Sequence, residues 1–421
     1  MKLLVFAHTP PPHHGQSYMV QHMLEGFGGD CRTANPNPTP GYGIDCYHVN
    51  ARFSSTPAEI GGFQFNKVLL LLRYCAQAIW CRIRYGIGNL YYVPAPGQRT
   101  PLYRDWLVML LCRPFFKRVI LHWHAAGMPA WVETTMPAAA WWLTVRLLGN
   151  PVLSIVLSNY NRVDAEKIFS KTIKIVGNGI PDPCPHFKQE VLPKRLGRCA
   201  ERRANLSGAS REPHLVKVLY LAHCTREKGL FDALNAIALA NRNLTKANSP
   251  LRLHLSVAGE FFNSAERQEF DKRLENSDLE LPASHPAAFD GPANGKHGCV
   301  QNSAVRYLGF VSGSKKERAF AESDLFCFPS YYFAESFGLV LVEAMAFGLP
   351  IVTTRWRSLP ELFAPGYLGL VDIKSPDQMA KAFEAVMCQT GEELRERFVS
   401  RFTLPTFLSQ MADALRSVEG A

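Results

Sequence analysis

The residues best placed to do chemistry lie in FPSYYFAESFGLVLVEAMAFGLP, residues 328–350. An apolar run ends at Ser330, and a loop carries Glu335, Ser336, Phe337 and Gly338. The spacing then predicts a helix from about Leu339 to Ala346, stopped by Gly348-Leu349-Pro350. Backbone N–H groups at such a start, those of Phe337, Gly338 and Leu339, lack intrahelical partners and form an anion site that fits a diphosphate. Glu343 stands among Leu339, Leu341, Val342, Ala344 and Met345. An acid in that company needs a partner, and a ribose diol suits it; the ordinary alternative is a solvated helix face. For Glu335 the ordinary alternative is an acid stabilised by the helix dipole.

A second constellation, LAHCTREKGLFDAL at 221–234, leads from an apolar run through His223 and Thr225-Arg226-Glu227-Lys228-Gly229 into a helix. Lys228 can reach across a phosphate, where a mobile point charge suits a leaving phosphoryl oxygen in a site with little water. The alternative is an exposed lysine at a helix start. Near the amino terminus, Thr9-Pro10-Pro11-Pro12-His13-His14-Gly15-Gln16-Ser17 follows the first apolar run. Gly15 there would let the backbone approach a phosphate. His122-Trp123-His124-Ala125-Ala126-Gly127 ends another run, and one of its histidines either orients a sugar or is a satisfied core histidine.

The elements that must position these residues alternate along the chain. Apolar, β-branched runs at 3–8, 90–95, 118–124, 153–158 and 173–176 are separated by helical patterns, which predicts a parallel sheet with crossover helices. A second series follows at 216–223, 251–259, 305–309, 324–330, 349–354 and 368–372. The chemistry-bearing loops fall after strands, at the end where ligands of open α/β sheets bind. The stretch 183–213, with its prolines, glycines and the basic cluster 194–203, reads as a linker. The turn Gly177-Asn178-Gly179-Ile180-Pro181 reads as a hinge that marks the boundary. Polar residues 276–303 read as a surface insertion, and Phe398, Phe402, Phe407, Met411 and Leu415 as a helical tail broken at Pro405. The expected domains are 1–182 together with a tail helix at 395–421, and 214–394.

Bulk properties agree with this. The chain has 421 residues, 47% hydrophobic and 19% charged, enough for two cores and far from a disordered composition. Its net charge of +10 favours anionic partners. The 11 cysteines are scattered without a Cys-x-x-Cys pair, which suggests neither a disulfide framework nor a zinc knuckle and fits a reducing cytosol. MKLLVFAH at the start is too short for a signal sequence, and the most apolar tract, 68–85, is interrupted by Arg73, Arg82 and Arg84. A cytoplasmic protein that does not cross a bilayer is the expectation.

Together these segments resemble the family 4 retaining glycosyltransferases, of GT-B architecture. The family's paired glutamates appear as Glu335 and Glu343, followed by Ala344-Met345-Ala346, Gly348-Leu349-Pro350 and Pro360-Glu361. Lys228-Gly229, Asn178-Gly179-Ile180 and Pro11-Pro12-x-x-Gly15 fall in the family's order, so the resemblance spans nearly the whole chain. It implies two Rossmann-like domains facing across a cleft, with the carboxyl-terminal helix crossing back to the first. It implies that Glu335 contacts the donor hexose, Glu343 the ribose, Lys228 the diphosphate and His124 the transferred sugar, with Gly15 closing over the diphosphate. The chain departs from the family at Gln16, where a second glycine is common. It departs again at His223, where many members have a phosphate-binding arginine, so that Arg226 or Lys228 would supply that charge. Arg357-Ser358 replaces a frequent glycine pair.

The implied activity is transfer of a hexose from a UDP- or GDP-sugar, with no separate cofactor, to a glycan or lipid-linked acceptor in polysaccharide or lipopolysaccharide synthesis. No Asp-x-Asp occurs in the chain, so the usual acidic grip on a nucleotide-bound divalent ion is missing and metal independence is expected. A nucleotide-sugar phosphorylase or epimerase of the same fold, or a non-catalytic nucleotide-sugar-binding protein, are the alternatives. A dinucleotide-dependent oxidoreductase is disfavoured, because Gly41-x-Gly43, Gly86-x-Gly88 and Gly177-x-Gly179 all lack the third glycine. No nucleic-acid partner is expected. Residues 74–85, with Trp80, Arg82 and Arg84, and Trp106, Phe115, Phe116 and Lys117 either rest on an anionic membrane at its inner face or belong to core helices with arginines at their ends.

Overall fold

The computed structural model describes residues 1–11, 15–33, 42–53, 65–275, 277–282 and 303–419. The chain divides into two compact α/β units, each built on one six-stranded sheet. Unit one comprises Met1–Pro181, Phe333–Phe337 and Arg401–Ala421; unit two comprises Asp182–Tyr332 and Gly338–Ser400.

Unit one contains β1 (Lys2–Ala7), β2 (Asp45–Asn50), β3 (Asn89–Tyr92), β4 (Arg118–Trp123), β5 (Leu153–Val156) and β6 (Thr172–Ile175), in the order β2-β1-β3-β4-β5-β6. All neighbours are parallel. Because helices cover both faces of such a sheet, its inner strands read as unbroken apolar runs, and Leu3, Leu4 and Val5 are fully buried. Its helices are α1 (Gly15–Gly26), α2 (Phe65–Tyr85), α3 (Arg99–Cys112), α4 (Met128–Thr135), α5 (Ala138–Leu148) and α6 (Arg162–Lys167).

Unit two contains α7 (Leu192–Leu206), β7 (His214–Leu221), α8 (Leu230–Lys246), β8 (Leu251–Ala258), α9 (Ser264–Leu274) and β9 (Val305–Gly309). It continues through α10 (Gly313–Glu322), β10 (Leu325–Phe328), α11 (Leu339–Ala346), β11 (Ile351–Thr354), β12 (Leu370–Val371), α12 (Pro376–Val386) and α13 (Glu392–Arg401). The sheet is parallel, in the order β12-β11-β10-β7-β8-β9. The chain then returns to unit one as α14 (Leu404–Arg416), which packs on α1. The return is held by Ile180, whose N–H donates to Phe402 O at 2.9 Å while its carbonyl accepts from Leu404 N at 2.8 Å. The tail expected at 395–421 thus enters unit one only from Arg401.

Two expectations need correction. Residues 183–213 are not a free linker: they belong to unit two and contain α7. Two members of the basic cluster turn inward: Arg195 and Arg202 are fully buried. Arg195 Nη1 donates to the carbonyl of Phe347 at 2.6 Å and to that of Gly348, at the end of α11. Arg202 Nε donates to Met387 O at 2.6 Å, at the end of α12, and its Nη1 lies 3.0 Å from the buried carboxylate of Asp324. Carbonyls at helix ends and one buried acid accept the charge that the sequence pattern alone assigns to solvent. The second correction is β2, absent from the expected strand series. Of the insertion at 276–303, residues 277–282 and 303 are described, with Glu280 and Ser303 in an antiparallel bridge; the remainder lies outside the described residues, as do Pro12, His13 and His14 of the amino-terminal motif.

Candidate functional site

In unit two the chain runs from β7 outward to β8 and β9, then returns to the other flank of β7 for β10, β11 and β12. The strand order therefore reverses between β7 and β10, and the crevice beyond the carboxyl ends of these two strands is where an open α/β sheet takes its ligand. The loop at 223–229 follows β7, and residues 329–332 follow β10. The two loops are tied together. Tyr331 N–H donates to Glu227 O at 2.8 Å, and the buried Tyr220 hydroxyl donates to the carbonyls of His223 at 3.1 Å and Lys228 at 3.3 Å. Gly229, in a left-handed conformation (φ +76°), caps α8 so closely that a Cβ there would lie 2.2 Å from Pro329 O.

This lock fixes Lys228. Its half-buried ammonium lies 4.7 Å from the ring centre of Tyr332 and 5.5 Å from that of Phe328, a cation–π arrangement that helps hold the charge at the crevice. Arg226 is engaged differently: its guanidinium pairs with Glu269 and lies 4.6 Å over the Phe231 ring, and its N–H donates to Glu266 Oε1 at 2.7 Å. Of the two cations expected to supply phosphate-binding charge, Arg226 is thus already committed to α9. His223 is exposed, edge-on to Phe262 at 4.8 Å.

The helix α11 covers the span that the sequence pattern predicts, beginning at Leu339 after Gly338 in the left-handed region (φ +70°). That positive φ is what favours glycine at 338; a Cβ there would also press on Leu359 Cδ2 at 2.9 Å, a side-chain end that can shift. Leu341 N–H already bonds Gly338 O at 2.8 Å. Glu343, half-buried one turn on, does have the partner its apolar company demands, and it is Lys316 of α10, at 2.8 Å. In this structure the carboxylate pairs with an ammonium where a ribose was expected.

Glu335, Ser336 and Phe337 belong to unit one. The Ser336 hydroxyl donates to His124 O, Asn161 Nδ2 donates to Ser336 O at 3.2 Å, and the Phe337 ring meets Phe402 edge-on at 6.0 Å. The acid-bearing loop and the loop after β4 are therefore brought together, and Glu335 is 9% exposed. The His124 ring lies 4.0 Å from that of His122. His122 is fully buried, with Tyr91 Oη 2.5 Å from its Nδ1, and burial, with His124 beside it, holds its imidazole well below the ordinary range. Gly15, exposed, and Gln16, half-buried, open α1.

Sequence reasoning missed Asn161, Lys316 and Tyr332. Asn161 follows β5 in a polar Ser-Asn-Tyr-Asn run, a post-strand position that could have been found. Lys316 looks like any solvated helix residue, and Tyr332 carries no local signal of the ammonium above it.

Residues 297–402 match the family model described as glycosyl transferases group 1. The chain's relatives include a phosphatidyl-myo-inositol mannosyltransferase of Mycobacterium leprae, 35% identical over 96 residues, covering 23% of this chain and 25% of that protein. The O-antigen chain mannosyltransferase B of Escherichia coli is 42% identical over 67 residues, 16% of each chain. These matches span about a quarter or less of the relatives' own length. Solved structures align over the whole chain. The Anabaena HepE protein in complex with UDP and glucose covers 98% of this chain and 99% of its own, with a TM-score of 0.60 at 15% identity. The sucrose-phosphate synthase of Thermosynechococcus elongatus covers 100% of both, with 0.64 at 16%. At that identity the likeness shows the fold, which is GT-B, and it extends beyond the matched residues 297–402.

Proposed function

We propose that this chain is a retaining glycosyltransferase that moves a hexose from a UDP- or GDP-sugar to a glycan or lipid-linked acceptor, on the cytoplasmic side of the cell, in polysaccharide or lipopolysaccharide assembly. The observation that carries the reading is the switch point of unit two. There the Lys228 ammonium stands beyond β7 and the start of α11 follows from β10, a cation and a helix amino end suited to one diphosphate. Mannosyltransferases among the relatives favour a hexose and a lipid-linked acceptor.

In this proposal the anomeric C–O bond to the diphosphate breaks as the acceptor hydroxyl attacks from the same face, and the hydroxyl proton passes to the departing phosphoryl oxygen. Lys228 and the N–H groups opening α11 take up the charge that gathers on that oxygen, without a divalent ion. Glu335 holds hexose hydroxyls, His124 contacts the same sugar, Glu343 exchanges Lys316 for the ribose diol, and Gly15 and Gln16 close over the diphosphate.

The test has two stages. Melting the protein with UDP-, GDP- and ADP-sugars should reveal one donor that raises the midpoint by mass action. With that donor, Glu335→Gln should lower transfer by about a hundredfold or more. Full activity in that variant, or donor consumption that needs no acceptor, would overturn the proposal.

A further inference from the structure

The helices α2, α3 and α5 lie side by side in unit one, α3 packing against both others. Their ends are pinned together: Arg82 Nε donates to Phe115 O at 2.8 Å, and Arg113 Nη2 donates to Gly149 O at 2.7 Å, just past α5. We propose that the outer face of this three-helix layer docks on an anionic lipid bilayer.

The pattern of exposure carries the argument. Along α2 the large apolar residues turned outward are Leu69, Leu72, Trp80 and Ile83, spaced by three, eight and three positions and so on one stripe of a helix whose other side is core. Ile83 is 72% exposed and Trp80 53%. The helices packed beside it also expose large apolar residues, Leu110 of α3 at 58% and Trp142 of α5 at 65%. Scattered exposed apolar residues are ordinary; a run of large ones across three adjoining helices marks an interaction surface.

Charge selects the partner. The helix α2 carries Lys67, Arg73, Arg82 and Arg84 and no acid, and α5 carries Arg146 and no acid. The one acid of α3, Asp105, is fully buried, accepting from the Tyr92 hydroxyl at 2.7 Å and from Ala95 N at 2.7 Å. Arg73 and Arg84 sit beside the apolar stripe and are exposed. A surface with aromatic and aliphatic residues flanked by arginines, and with its only carboxylate withdrawn, complements acyl chains below anionic headgroups. Among the described residues no helix is long and apolar enough to cross a membrane, so the layer would lie in the interface. The inference rests on exposure and charge and is independent of the reaction proposed above.

Flotation of the purified chain with phosphatidylcholine vesicles, with and without phosphatidylglycerol in equal parts, tests it. The protein should float only with the anionic vesicles and release at about 1 M salt, where screening acts over about 3 Å. The triple variant Trp80→Ser/Ile83→Ser/Trp142→Ser and the double variant Arg73→Glu/Arg84→Glu should each lose at least about tenfold in bound fraction with an unchanged melting midpoint. Absence of flotation with anionic vesicles, equal flotation with neutral ones, or flotation of both variants like the parent would overturn the proposal. So would sedimentation showing a dimer of the parent that the triple variant dissolves, since the face would then cover a second copy.

Discussion

Gly229 and Gly208 share a backbone conformation, φ +76°, and differ in what surrounds them. Around Gly208 nothing lies within 4 Å of an added Cβ; at Gly229 the same atom would meet Pro329 O at 2.2 Å and its carbonyl carbon at 2.8 Å. Alanine at either position incurs the left-handed penalty of about 1–2 kcal/mol. Only at 229 must the backbone also withdraw by about 1 Å to restore ordinary contact, adding the roughly 1–3 kcal/mol of overpacking. That withdrawal strains the bond from Tyr331 to Glu227 and displaces Lys228. A misplacement of about 1 Å in a charge that acts on the transition state costs on the order of a hundredfold in rate. Gly208→Ala should therefore lower the melting midpoint modestly and leave transfer unchanged. Gly229→Ala should melt lower still and lose about a hundredfold in kcat/KM for the donor. Calorimetric melts paired with initial-rate kinetics on both variants read this out. If the two variants agree within about threefold in kcat/KM, the reasoning that the 223–229 loop positions the reacting charge is refuted.

Other outcomes follow from the same structure. Asp324 is buried; burial alone would raise its carboxyl, but Arg202 and Arg198 more than offset this and hold it below the usual range. Asp324→Asn leaves two arginines short of a counter-charge and should cost about 3–5 kcal/mol by denaturant titration. Burial, aided by Arg306 and Lys217, lowers the His254 imidazole to about 4. A group neutral in the fold and protonated when unfolded contributes stability above its unfolded pKa that is lost as pH falls, so stability should decline from about pH 6.5 toward 4, by roughly 3 kcal/mol from this residue; His254→Gln should flatten that decline in melts taken across the range. Lys316→Ala frees Glu343 without disturbing the fold, the pair being partly exposed; nucleotide affinity should hold or tighten, and a tenfold loss would show that Lys316 itself holds the donor. Transfer should persist in EDTA.

The sheets were legible because parallel strands covered on both faces are written as apolar runs, and eleven of the twelve strands among the described residues stand out in that way. The missing one, β2, is the edge strand Asp45-Cys46-Tyr47-His48-Val49-Asn50, whose polar positions break the run. The residues 183–213 misled for a related reason. Pro193, Gly197 and a string of arginines look like a solvated connector, because a sequence pattern cannot show that Arg195 and Arg202 will find carbonyls at the ends of α11 and α12. Helix starts were read well where the signal is local, as after Gly229 and Gly338. Partners drawn from distant segments, Lys316 for Glu343 and Tyr332 for Lys228, were not, since nothing near them in the chain records the encounter.

Titration calorimetry of UDP and GDP against the parent chain, Lys228→Ala and Glu335→Gln tests the central claim most directly. The account predicts that the parent binds one of these nucleotides, that Lys228→Ala weakens it by about tenfold or more, and that Glu335→Gln, which removes only a sugar contact, binds it like the parent. Undiminished nucleotide affinity in Lys228→Ala would contradict it.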